Sequence, residues 1–353
     1  MPTRRHVAAS SPFLAVSLGL FLGAQGVCAQ SASLEPGPRP ADVSPELKKW
    51  IGDYGPDGPM LSSLAEKDGQ LVLLGERLGQ CKIAPKSSSE LTASCPSAQD
   101  VRLVKDAAGA VVLRVGAESL QRRDFGVDAK QVARIHPVRP VDELRREALA
   151  ATPPEEKGEF RKPDLVELAP LDAAIHLDIR YATNNDFLGT PVYTQARAFL
   201  QRPAAEALVR AHKKLQKLGY GLLIHDAYRP WYVTKIFWDA TPAEGKIFVA
   251  DPSQGSRHNR GCAVDLTIYD LRSGKPIEMP GTYDEMSPRS FPKYAGGTSL
   301  QRWHRELLRQ AMESEGFAVY EFEWWHFDYK DWREYPILNV PFEKLSLVSA
   351  GAN

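Results

Sequence analysis

Two short stretches, far apart in the chain, must be brought to one point by whatever fold this sequence adopts. They are Ser256-Arg257-His258-Asn259-Arg260-Gly261-Cys262-Ala263-Val264-Asp265 and Glu321-Phe322-Glu323-Trp324-Trp325-His326. Read jointly, they offer His258, Asp265 and His326 as three metal ligands and Glu323 as a base. Three protein ligands with a fourth position left to water is the make-up of a catalytic zinc site, whereas a closed structural site normally shows four ligands, usually with cysteines. The chemistry this set suggests is hydrolysis.

Local pattern places these residues on strands. Gly261 permits a sharp bend after His258, and Cys262 to Ile268 then alternates, with Cys262, Val264, Leu266 and Ile268 on one face and Ala263, Asp265 and Thr267 on the other. An apolar face backing a small, polar one suits a strand that flanks a metal pocket. Glu323 and His326 are three residues apart, so a regular strand sends them to opposite faces. The expectation is that the strand bends or ends at Trp324-Trp325. A histidine in an aromatic strand is more often packed in a core, but a carboxylate among aromatics is costly to bury unless it is paired or working.

The first residues look like a secretory signal. Arg4-Arg5 precede an apolar run from Phe13 to Gly23, and Val27-Cys28-Ala29 gives a small-residue cleavage site after Ala29. The run is shorter than the roughly 20 apolar residues of a membrane-spanning helix. Val27 is bulkier than lipid attachment at Cys28 prefers, so a cleaved, periplasmic or secreted protein with no membrane span is expected. Residues 1–29 hold two arginines and no acid, which leaves 42 basic against 44 acidic residues and no electrostatic case for nucleic acid. In an oxidising compartment Cys81 and Cys95 are near enough to close one loop, stabilising by about 3 kcal/mol. Cys262 is left over, as a small buried filler.

The expected fold class is α+β, a catalytic domain preceded by a small mostly-β domain. After the signal at 1–29, residues 30–44 read as a flexible, proline-containing leader and 45–135 as the β domain. Its strands are expected at Leu71–Leu74, Val101–Val104 and Val111–Val115, with turns at Asp68-Gly69 and Asp106–Gly109. Residues 136–163 read as a helical and polar linker, 164–345 as the catalytic domain and 346–353 as a tail. Within the catalytic domain, periodicity predicts helices at Pro203–Leu218 and Ser299–Glu315, each stopped by glycine, and a buried strand at Leu222–Ile224.

The ordered motifs resemble the zinc D-alanyl-D-alanine dipeptidases, the VanX-type branch of the D-Ala-D-Ala metallopeptidases. Besides S-x-H-x-x-G-x-A-x-D and E-x-W-H, they include Tyr181-Ala182-Thr183 with Asp186-Phe187, Asp226-Ala227-Tyr228-Arg229-Pro230 and Gly281-Thr282-Tyr283-Asp284. The similarity runs from about Leu165 to about Pro341. It implies one Zn2+ in a metallopeptidase-like catalytic fold and a small dipeptide substrate. It further implies Arg229 as the oxyanion partner, Tyr181 and Asp284 at the substrate ammonium, and Ser256 on the carboxylate side. His225 stands where the family often has tryptophan. Two rivals remain open here: a D,D- or L,D-carboxypeptidase acting on peptidoglycan stem peptides, and a zinc-containing cell-wall peptide-binding module without catalysis. The sequence assigns neither an oligomeric state nor a role for the β domain.

Overall fold

The computed structural model describes residues 34–345 apart from 57, 59 and 129–131. The expected signal, with Cys28 and the cleavage point, and the tail at 346–353 lie outside the described residues. Among the described residues no helix is long and apolar enough to cross a membrane.

A short helix, α1 (Pro45–Lys48), leads into an eight-stranded antiparallel meander: β1 (Gly52–Tyr54), β2 (Ser62–Lys67), β3 (Gln70–Gly75), β4 (Gly79–Ser87), β5 (Glu90–Ser94), β6 (Val101–Lys105), β7 (Val111–Val115) and β8 (Glu118–Gln121). Each strand pairs with the next. The first also meets the end of the last, through a Tyr54–Arg122 bridge and through Gly55 N donating to Gln121 O at 3.0 Å. Closure of this kind removes unpaired edges. Alternation sends Leu64, Leu73, Leu103 and Leu113 into a core with Tyr54 and Leu78. Cys81 and Cys95 form a disulfide beside it. The Asp68-Gly69 hairpin has positive φ at both residues, 52° and 81°, as a two-residue turn matched to strand twist requires.

The second core is larger. Helix α2 (Val141–Ala150) buries Leu144 and Ala148 in it, so the segment expected as a linker is packed, and Glu156 beyond it holds the Arg260 guanidinium at 2.6 Å. A two-stranded sheet pairs β9 (Leu165–Glu167) with β11 (Phe199–Gln201); β10 (His176–Leu177) joins the main sheet instead. Helix α3 (Arg202–Gln216) follows, then β12 (Tyr220–Asp226), α4 (Trp231–Ala240), β13 (Ala263–Asp270), α5 (Ser299–Glu313), β14 (Phe317–Tyr320) and β15 (Glu323–Tyr329). The main sheet has the order β10-β12-β13-β15-β14, antiparallel except for β10 with β12.

One face of this sheet presents Leu222, Ile224, Val264, Leu266 and Ile268 to the apolar stripes of α3 and α5, which contribute Leu208, Ala211, Leu215, Leu307 and Ala311. Period-two alternation leaves Leu223, Asp265 and Thr267 on the other face. The leader expected to be flexible is held in part, since the Trp303 indole on α5 donates to Gly37 O at 3.0 Å.

Candidate active site

A row of side chains crosses the open sheet face. A register shift between Ile224 and Asp226 sets Asp226 opposite Asp265, and Asp265 in turn lies opposite His326 on β15. His258 arrives from a 3-10 turn just before β13, closed by Gly261 at φ 67°, where a side chain would also collide with Leu165. The loop after β12 fixes that turn. Arg229 N donates to His258 O at 3.1 Å, Asn259 Nδ2 donates to Arg229 O at 2.9 Å, and the Ser256 hydroxyl accepts from His258 N at 3.2 Å.

His258 Nε2 lies 3.0 Å from His326 Nδ1 and 3.3 Å from Asp265 Oδ1, and His326 Nδ1 lies 3.0 Å from the same oxygen. The outer ring nitrogens are both committed. His258 Nδ1 faces Ala227 O at 2.6 Å, and His326 Nε2 faces Asp328 Oδ1 at 2.9 Å. Each partner accepts a hydrogen bond from its ring N–H, so in the neutral imidazoles the two inner nitrogens carry lone pairs. Three acceptors then face one point, a repulsive arrangement that a divalent cation relieves. Two imidazoles and a carboxylate also match the donor preference of a transition metal. Burial opposes a charge on the His326 imidazole, but Asp328 and Asp265 outweigh it and carry the imidazole up to about 10. The same histidines hold Asp265 well below the usual carboxylate range against the effect of its burial.

Glu323 reaches this cluster, its Oε2 3.6 Å from His326 Nδ1. The strand does not bend or end at Trp324-Trp325 as expected; β15 runs through both. Glu323 is instead its first residue, just after the Glu321-Phe322 turn and beside a register shift at Val319 and Tyr320, where the side chain is free of the pleat's alternation. Burial, opposed by His326 and reinforced by Asp265, pushes its carboxyl up to about 8.

The remaining expected residues line the same cleft, of about 640 Å³. Arg229 is buried and rides on Asp226, with Nε and Nη2 at 3.0 and 2.9 Å from Oδ2, and packs over the Tyr181 and Phe237 rings. Asp284 adopts the left-handed region, φ 58°, which aspartate tolerates better than most residues. Its Oδ1 accepts from the Tyr181 hydroxyl at 3.0 Å, while its buried Oδ2 has no hydrogen-bond partner. Burial, with Asp265 and Glu323 nearby, holds Asp284 well above the usual carboxylate range. Ser256 is in the wall, its hydroxyl engaged by the His258 turn.

The family model for D-Ala-D-Ala dipeptidase matches residues 161–344. This chain belongs to the D-Ala-D-Ala dipeptidase family. Members of the family are metallopeptidases. The chain is similar to the D-alanyl-D-alanine dipeptidase of Escherichia coli K12, 34% identical over 51% of this chain and 91% of that one. It is also similar to the enzymes of that name from Enterococcus faecalis, 35% identical over 44% of this chain and 88% of that one, and Streptomyces coelicolor, 33% over 48% and 92%. The family match begins after the eight-stranded meander, which it does not cover.

Sequence reasoning did not single out Asp328 or Tyr283 as site residues. Asp328 sits two residues after His326 on one strand, a spacing that puts both on one face and could have revealed it. The Tyr283 hydroxyl donates to Asp265 Oδ2 at 3.0 Å and lies 3.0 Å from that of Tyr181. Nothing in the spacing of Tyr283 predicts that contact, because it depends on how a long loop folds back. Cys262 is buried, its thiol pushed up to about 12 by burial, which suits a packing role.

Proposed function

We propose that this chain hydrolyses the dipeptide D-alanyl-D-alanine with one zinc ion held by His258, Asp265 and His326. The observation that carries the reading is the convergence of those three ligand atoms with the Glu323 carboxylate beside them. A zinc ion bound there supplies Lewis-acid polarisation of the peptide carbonyl and lowers the pKa of a water. Glu323 takes the proton of the attacking water and returns it to the departing amine, a role that its position beside the ligand atoms suits. The Arg229 guanidinium, fixed by Asp226, offers donors to the charge that develops on the carbonyl oxygen.

Chain-end selectivity falls to the other residues. Asp284 and Tyr181 receive the free ammonium: the unpartnered Asp284 Oδ2 gains a cation it otherwise lacks, and an acylated amine offers it none. Ser256 stands on the substrate carboxylate side. The Cys81–Cys95 disulfide and the signal-like apolar run from Phe13 to Gly23 support work in an oxidising compartment, periplasmic or secreted. The test is a comparison of free D-Ala-D-Ala with an N-acylated D-Ala-D-Ala peptide, with and without chelator. Chelator-sensitive cleavage of the free dipeptide, with little of the acylated one, is expected. Preference for the acylated peptide would make the protein a carboxypeptidase, and no hydrolysis of any D-dipeptide by the zinc-loaded chain would leave only binding.

A further inference from the structure

A second cleft, of about 500 Å³, opens on the same sheet face one step along from the catalytic row. Its floor is Leu223, opposite Thr267 in the register of β12 and β13, together with Trp324 on β15. Thr267 and Trp324 each lie two residues from a proposed ligand, Asp265 and His326, and so repeat their facing. Tyr283 walls this cleft on the side of Asp265. Its ring stacks on His225 at 4.6 Å, and its hydroxyl touches Asp265. The opposite wall comes from the meander and the segment after it, through Gly52, Asp53, Arg122 and Phe125.

Two features mark this cleft as built to hold something. The Trp324 indole Nε1 and the Thr267 hydroxyl are buried without hydrogen-bond partners, on residues only 3% and 5% exposed. An indole N–H is a donor only, so the floor asks for an acceptor. At the rim, Lys48 is engaged by Glu278, Arg180 by Asp178 and Arg289 by Glu285, whereas among the described residues the Arg122 guanidinium bonds to the main-chain oxygens of Lys49 and Ile51 and to no carboxylate. Asp53 and Glu278 in the lining disfavour a dianion and can accept from amide N–H groups, and Phe125, Ile277 and Met279 give apolar walls.

We infer that this cleft is a second binding site, for the carboxylate end of a short peptide, built jointly by the meander and the catalytic sheet. The carboxylate accepts from Trp324 Nε1 and Thr267 Oγ1 and faces Arg122, and the peptide's side chains lie against the apolar walls. The test is calorimetric titration of the zinc-loaded full chain with N-acetyl-D-alanyl-D-alanine, with its C-terminal amide and with inorganic phosphate. The blocked amine disfavours the catalytic cleft. The free acid should bind saturably, the amide about tenfold more weakly, and phosphate not measurably; Arg122→Gln and Thr267→Val should each weaken the free acid about tenfold. Both variants should hydrolyse D-Ala-D-Ala at the wild-type rate, which also reports their folding, and either alone suffices if the other does not fold. Absence of saturable binding, equal binding by acid and amide, phosphate binding as tight as the peptide, or unchanged affinity in a folded variant would overturn the proposal. Loss of hydrolysis with peptide binding intact would count against the catalytic reading alone.

Discussion

At the scale of single residues, the site is governed by what the far side of each proposed ligand touches. Asp328 accepts from His326 Nε2 and so turns Nδ1 inward; Ala227 O does the same for His258. Partners of this kind typically contribute 10–100-fold in metal affinity. Asp328→Ala is therefore expected to weaken zinc binding by about that factor while the chain stays folded, measured by competition with a chromophoric chelator. A second residue makes a prediction unrelated to catalysis. His304 on α5 is buried against the Tyr220 hydroxyl, 3.0 Å from Nε2, and burial, with Arg39 adding, pulls its imidazole down to about 4. The unfolded chain, near 6.5, takes up a proton that the folded chain refuses. The stability His304 permits is therefore complete above about pH 6.5 and falls as pH drops toward 4, by at most about 3 kcal/mol. Urea midpoints across that range should show the slope, and His304→Gln should flatten it.

At the scale of elements, legibility followed the locality of the cause. Helices α3 and α5 were readable because their apolar stripes and glycine stops are local, although each ends two residues before the expected stop, as frayed last turns do. The start of α5 carries a capping box, Thr298 accepting from Gln301 N while the Gln301 side chain accepts from Thr298 N. Thr298→Ala should cost about 1 kcal/mol, read from the shift in denaturant midpoint. In the meander, β3, β6 and β7 stand out by their apolar runs, while β4, with mostly exposed residues, gives no periodic signal. Its closure was not legible either, since Tyr54 meets Arg122 only after eight strands have turned. The site motifs were legible as residues that the fold brings together, and His258, Asp265 and His326 do converge. How Glu323 joins His326 was not, because it depends on the register shift between β14 and β15 rather than on a break at the tryptophans.

At the scale of the whole molecule, the meander is fastened to the catalytic sheet's own elements. The Glu66 carboxylate accepts from Ser299 N at 2.7 Å at the start of α5, where the helix dipole favours a negative charge. Asp53 accepts from the Tyr294 hydroxyl at 2.7 and 2.9 Å. Both contacts grip the segment that follows the Tyr283-Asp284 turn, so the addition bears on the loop that walls both clefts. Hydrolysis on the proposed reading depends on Glu323 acting on protons beside a metal that other residues hold. The most direct measurement is turnover of D-Ala-D-Ala by Glu323→Gln, with zinc content determined by elemental analysis on the same sample. One zinc per chain, as in the wild type, is expected, with hydrolysis reduced by about 10²–10⁴-fold. Near-wild-type turnover with zinc retained would contradict that reading.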